Sequence, residues 1–181
     1  MKQIFTSFLV VLFVAGCSMF SKDYNLISTS YKATDKLLRG VRDIHQLEPR
    51  YNGVYTRQPI LVTSFVNVDN VQQSSTFGRV IGEQIGSRLA QRGYKIIEMK
   101  MRTSNVFVQE RTGELLLSRE LREISFQHDA YAVVVGTYGI GKESVYVTAK
   151  LVRAKDSVIL SSYDYYLPIG PNTKRMLQKQ R

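Results

Sequence analysis

Apolar side chains recur along this chain first at helical spacing, then in short β-branched runs, and finally in strict alternation. From Ser28 to Leu47 the residues Tyr31, Leu37, Leu38, Val41, Ile44 and Leu47 fall three, four or seven positions apart. That stripe predicts an amphipathic helix, weakened at its middle by Gly40. Pro49, Asn52 and Gly53 break the pattern, and Pro59 introduces Ile60 to Val66, a β-branched run that predicts a buried strand. The polar stretch Asn67 to Ser75 follows, with Ser74 or Ser75 placed to cap a helix that carries Phe77, Val80, Ile81, Ile85 and Leu89 on one face. Gly93 stands where a helix C′ glycine is expected. Tyr94 to Met101 then predicts a second strand.

The middle of the chain is less regular. Val106 to Val108 and Leu115 to Leu117 flank Thr112-Gly113 and fit either a short hairpin or an irregular loop. Ser118 is placed to cap a short helix through about Gln127, with Leu121 and Ile124 inward. Tyr131 to Val135 is the densest apolar strand. Beyond Gly141 the period becomes two: Val145, Val147, Ala149 and Leu151 alternate with Tyr146, Thr148, Lys150 and Val152. A partner strand from Val158 to Leu167 places Leu160, Ser162, Asp164 and Tyr166 on one face, with Ile159, Ser161, Tyr163, Tyr165 and Leu167 on the other.

These elements predict an α/β (α+β) domain over residues 26–168. Its mixed sheet has about five strands with helices packed on it, a parallel β-α-β first part and an antiparallel C-terminal meander. Lys174, Arg175, Lys179 and Arg181 mark residues 169–181 as a basic, flexible tail without acidic side chains, either a solvated end or a binding arm.

Ahead of the domain, Lys2 precedes an apolar run from Ile4 to Val14, and small residues lead to Cys17, the single cysteine. The run is too short to span a bilayer, which takes about 20 apolar residues. Residues 1–16 therefore read as a signal peptide. Val14-Ala15-Gly16-Cys17 resembles the lipobox of bacterial lipoproteins, which implies cleavage before Cys17 and acylation of its thiol. An ordinary signal with a leftover or reactive thiol is the alternative. In lipoproteins, Ser at the position of Ser18 implies outer-membrane sorting. Residues 17–25 then form a lipidated tether of at most about 30 Å, with the domain facing the periplasm.

Removing residues 1–16 takes away Lys2 alone, so the formal net charge falls from +10 over 181 residues to +9 over 165. An exported basic domain meets lipid phosphates, peptidoglycan carboxylates and acidic protein faces rather than nucleic acid.

Gly136-Thr137-Tyr138-Gly139-Ile140-Gly141-Lys142 matches most of a phosphate-binding loop, but Glu143 stands where Ser or Thr must ligate Mg²⁺. The following residues alternate as a strand, whereas such a loop must open a helix. A glycine-rich hairpin connection is expected instead. His45 and His128 show no metal-ligand spacing, and no serine-nucleophile motif occurs, so no catalytic residue, metal or cofactor is expected. Glu120 and Glu123 fall near a helix N-terminus, where negative charge is favourable without catalysis.

Two candidate binding regions stand out. The loop after the first strand sits at the carboxyl end of a strand facing a helix, with Asp69, Asn70, Ser74 and Arg79 as polar candidates against a plain solvated loop. Tyr163 and Tyr165, in a run of three tyrosines within four residues, fit either cross-strand packing or a protein-binding rim.

The segments Pro59 to Asp69, Phe77-Gly78-Arg79, Gln91-Arg92-Gly93-Tyr94, Gly113 to Arg119 and Val135-Gly136-Thr137-Tyr138 together resemble the FlgO family of outer-membrane lipoproteins over about residues 26 to 168. The resemblance implies a non-catalytic role in flagellar assembly or motility, with the flagellar basal body or a companion lipoprotein as partner. The strand-helix pattern also looks like the periplasmic domains of TolB and CsgG type lipoproteins. The competing reading is a periplasmic lipoprotein module that binds peptidoglycan or regulates an envelope enzyme or secretion complex. A homo-oligomer, as a cyclic ring, is compatible with either.

Overall fold

The structure, a computed structural model, describes residues 23–41, 58–70, 75–99, 107–109, 115–117 and 119–178. Cys17, Ser74, Ser118, Lys179, Arg181 and the signal segment lie outside the described residues, as do residues 42–47 of the expected first helix.

Helix α1 spans Leu26–Gly40 and opens on Asn25, whose side chain accepts from the Ser28 amide at 2.9 Å. It ends at Gly40, with Val41 already extended, so Gly40 closes the helix instead of weakening its middle. The expected strand over 60–66 is two: β1 (Ile60–Thr63) and β2 (Val66–Asn67), parted where the Phe65 amide donates to Gly78 O at 3.0 Å. Helix α2 (Thr76–Gln91) starts at Ser75 and ends ahead of Gly93, whose φ of 88° is the left-handed C′ turn the sequence predicts. Strand β3 is Ile96–Met99.

Strands β4 (Phe107–Gln109) and β5 (Leu115–Leu117) pair antiparallel in a separate small sheet, which resolves the choice between hairpin and loop. Helix α3 is Arg119–Gln127. Strands β6 (Ala132–Ile140), β7 (Ser144–Arg153) and β8 (Ile159–Pro168) form the meander.

The main sheet runs β3-β1-β6-β7-β8, with β2 also paired to β6, giving six strands. Strand β1 lies parallel to both β3 and β6, and β6, β7 and β8 are antiparallel. The expected mixed sheet is therefore present, with a parallel first part and an antiparallel end.

A bulge between Leu151 and Val152 shifts the β8 register, pairing Leu151 with Ser161 and Val152 with Ile159. The extra residue, Leu160, packs toward the helical core and Ile159 is exposed, reversing the expected alternation at that end.

Alternation divides the core between the sheet's two faces. Ile60, Val62, Val134, Val145, Val147 and Leu151 pack beneath α1 and α2 with Phe77, Ile81 and Ile85. On the other face Leu61, Val133, Val135 and Val152 receive Leu121 of α3, which is completely buried. Strands β7 and β8 leave Tyr146, Asp164 and Tyr166 on that second face, open to solvent.

The expected flexible tail is corrected as far as residue 177. Helix α4 (Pro171–Leu177) packs Met176 and Leu177 against the helical core and buries Thr173. Pro171 supplies a favourable first-turn φ, and Asp23 accepts from the amides of Asn172 at 3.0 Å and Thr173 at 3.2 Å. The last residues assigned to the tether thus cap two helices, Asp23 on α4 and Asn25 on α1.

Candidate functional site

The loop that follows β2 is held at both ends. The Val68 amide donates to Tyr138 O at 2.9 Å, extending the pairing with β6. Asn67 Oδ1 accepts from the Asp69 amide at 2.9 Å, and the Asn70 amide donates to Asn67 O at 3.2 Å, so Asp69 and Asn70 occupy a tight Asn-initiated turn.

Of the two serines that fit a cap, Ser75 performs it: its Oγ accepts from the Gly78 amide at 3.1 Å. The Tyr138 hydroxyl donates to the same Oγ at 2.7 Å in a buried position. Burial raises the Tyr138 pKa and the bond to Ser75 opposes the rise. The Phe77 ring meets Tyr138 edge-on, with centroids 5.3 Å apart. Arg79, exposed, donates to Thr76 Oγ1 at 3.2 Å. The structure thus brings Asp69, Asn70 and Arg79 to one end of the sheet. The helix start between them is closed by its own cap and a tyrosine.

Glycine makes that closure feasible. A Cβ at Gly78 would overlap the carbonyl of Phe65, and one at Gly136 would overlap the Phe65 ring. Gly136 lies inside β6, and residues 141–143 form the turn into β7, closed by the Gly141 amide donating to Ser144 O at 2.8 Å. The segment that resembled a phosphate loop is a strand and a hairpin turn.

Tyr163 and Tyr165 face the helical core and stack on each other, centroids 6.0 Å apart. Burial pushes the Tyr165 pKa upward, against the effect of Ser30 of α1 beside it. The exposed pair is Tyr146 and Tyr166, opposite each other in register with centroids 6.2 Å apart. The sequence does not show this pair, because spacing counted from the turn would set Tyr146 against Tyr165, and only the bulge at Leu160 brings Tyr166 opposite it.

The seam between α1 and α2 carries a charge network. Asp35 accepts from Arg88 at 2.8 and 3.1 Å and from Arg92 at 2.9 Å. Hydrogen bonds from Arg88, then Arg92, lower its pKa to about 2. The Arg88 guanidinium also lies over the Tyr31 ring, 5.2 Å from its centroid.

A hollow of about 850 Å³ lies elsewhere, where Phe126 of α3 and Asp129 just after it meet Tyr131 and Arg153. Ser125, Glu123, Asp129 and Lys155 also line it, and the Ser125 hydroxyl is engaged, donating to Leu121 O at 2.6 Å. Among the described residues no three His, Cys, Asp or Glu side chains come together as metal ligands, and no helix is long and apolar enough to cross a membrane. What these surfaces offer is hydrogen bonding, aromatic contact and positive charge, which are the means of docking.

The family model described as FlgO protein matches residues 31–172. The chain belongs to the FlgO family. Comparison with curated proteins found no match. Among solved structures, the FlgO-family chain is similar to the LpoB C-terminal domain from Salmonella enterica, at 15% identity over 79% of this chain and 98% of that one, with a TM-score of 0.45. It is also similar to the LpoB C-terminal domain from Escherichia coli, at 15% identity, 81% and 99% coverage and a TM-score of 0.45. Lipoprotein GNA1162 from Neisseria meningitidis matches at 15% identity, 64% and 85% coverage and a TM-score of 0.42. Likeness this distant fixes neither fold nor function. Membership of the FlgO family supports a non-catalytic, envelope-associated lipoprotein.

Proposed function

We propose that this protein is an outer-membrane lipoprotein, anchored through Cys17, that serves flagellar assembly or motility as a non-catalytic docking module. The match to the FlgO family across residues 31–172 carries the reading. The lipobox-like sequence before Cys17 supports the anchor, and several acyl chains hold a protein on a membrane where one holds it marginally. The folded domain supplies binding surfaces: the loop residues Asp69 and Asn70 with Arg79, and the tyrosine-bearing strands. Its partner is the flagellar basal body or a companion lipoprotein.

Deletion in the source bacterium, followed by swimming assays and flagellar counts, tests this. Loss of swimming or flagella restored by the wild-type chain, with Cys17→Ala failing to restore it, is the expected result. Normal swimming and normal flagellar number in the deletion strain would sink the flagellar role and leave an envelope module that binds peptidoglycan or regulates an envelope enzyme or secretion complex.

A further inference from the structure

The side of α1 turned away from the sheet carries Lys32, Lys36 and Arg39, all exposed and spaced four and three residues apart. Ala33, Thr34, Leu37 and Leu38 hold the opposite side in the core. Just ahead of the same helix Tyr24 stands in solvent at 57% exposure, while the exposed Ile27 of its first turn projects from another side of the helix than the three basic residues. Helix α4, which packs beside α2 on the same side of the sheet, carries exposed Lys174 and Arg175. The carboxylates next to this surface are engaged, Asp35 with Arg88 and Arg92 and Asp23 with the amides of α4. Glu83 on α2 is exposed. The open face of β7 and β8 mixes its charges, with Lys150 and Asp164 on adjacent strands.

We propose that the outer side of α1, with α4, lies against the anionic lipid surface of the membrane that holds the anchor. The proposal rests on the reading of Cys17 as the lipidated residue. Chain length fixes how close the surface must be, since Cys17 and Asp23 are six residues apart and span at most about 20 Å. Attraction between exposed charges and a membrane fades over about 10 Å at 0.1 M salt, so a short tether brings the patch into range.

The arrangement of side chains matches the depth profile of a bilayer interface. Tyrosine favours the headgroup level, and Lys and Arg meet lipid phosphates. Tyr24 stands at the tethered end, just ahead of α1, and the basic stripe runs along the outer side of the helix behind it. In this pose the face bearing Tyr146 and Tyr166 points away from the membrane, free for a protein partner.

The test uses the mature chain from residue 17 with Cys17→Ser, which retains every described element. Co-sedimentation compares vesicles of phosphatidylcholine alone with vesicles of phosphatidylcholine and phosphatidylglycerol. Binding to the second vesicles alone, weakened by salt, is expected. Combining K32E, K36E and R39E should weaken it by about a hundredfold or more, as each basic residue near the surface contributes roughly fivefold. A control with K142E, K150E and K155E makes the same net charge change elsewhere and should bind like the unmodified chain. Circular dichroism confirms that both variants fold.

No binding to either vesicle, equal loss in both variants, or binding to purified sacculi in place of vesicles would overturn the proposal. The mass of Cys17 in full chain purified from membranes is a separate readout: an unmodified thiol overturns the anchor, whereas the vesicle series judges the face.

Discussion

A methyl group added at Gly78 has nowhere to go, because the backbone carbonyl of Phe65 occupies its place and the Phe65 amide is bonded to Gly78 O. Backbone on both sides leaves no side chain that can swing aside. Gly78→Ala should therefore destabilise the domain by about 1–3 kcal/mol or more, seen as a lower urea midpoint with an unchanged slope. An unshifted midpoint would show that β1 and α2 can separate at no cost. The glycines at 136, 139 and 141 show how a sequence misleads at this scale. Read in order they mimic a phosphate-binding loop, yet Gly136 exists to admit the Phe65 ring and Gly141 to enter a hairpin. The context rule rejected the loop from sequence, but the ring that needs Gly136 lies about seventy residues away and leaves no local signal.

At the scale of elements, the α1–α2 seam depends on one carboxylate shared by two arginines. The folded pKa of Asp35 is lowered from 3.8 to about 2, so its contribution is fully present above about pH 4 and is lost as pH falls toward 2. Arg92 is half exposed and solvent screens the pair, so Asp35→Asn should cost no more than about 1 kcal/mol at neutral pH. Unfolding measured from pH 6 to pH 2 should show the two proteins converging as Asp35 protonates. A constant gap down to pH 2 would contradict the linkage. Helices α2 and α3 and the strands of the meander were legible because each is long or strongly periodic. Less legible were β2, two residues long, and α4, seven residues long and visible in sequence mainly as positive charge. The bulge at Leu160 was also hidden, since one inserted residue changes register without changing composition.

At the scale of the whole molecule, among the described residues the six-stranded sheet is covered on one face by α1, α2 and α4 and on the other by α3, and its last two strands are half open. The candidate site followed the same division. Sequence offered Asp69, Asn70, Ser74 and Arg79 around the loop after the first strand and left Tyr163 and Tyr165 between packing and a binding rim; they pack on the core, and the exposed pair is Tyr146 and Tyr166. The difference is one of parity, which strand pairing decides and a single run of tyrosines does not. Asp23 also joins the two ends of the described domain, so Asp23→Ala should expose α4. Hydrogen exchange should speed up at the Asn172 and Thr173 amides, with about 1 kcal/mol lost overall, the usual cost of removing a cap. Protection that stays unchanged would mean that Met176 and Leu177 alone hold the helix.

That contact also decides how the domain answers force. A pull on the chain ahead of Asp23 reaches the Asp23–α4 bonds and the first turn of α1 before it loads any strand. Under tension the molecule would let go of its last helix and pay out the first turn of α1 like a short length of line, while the sheet stays intact.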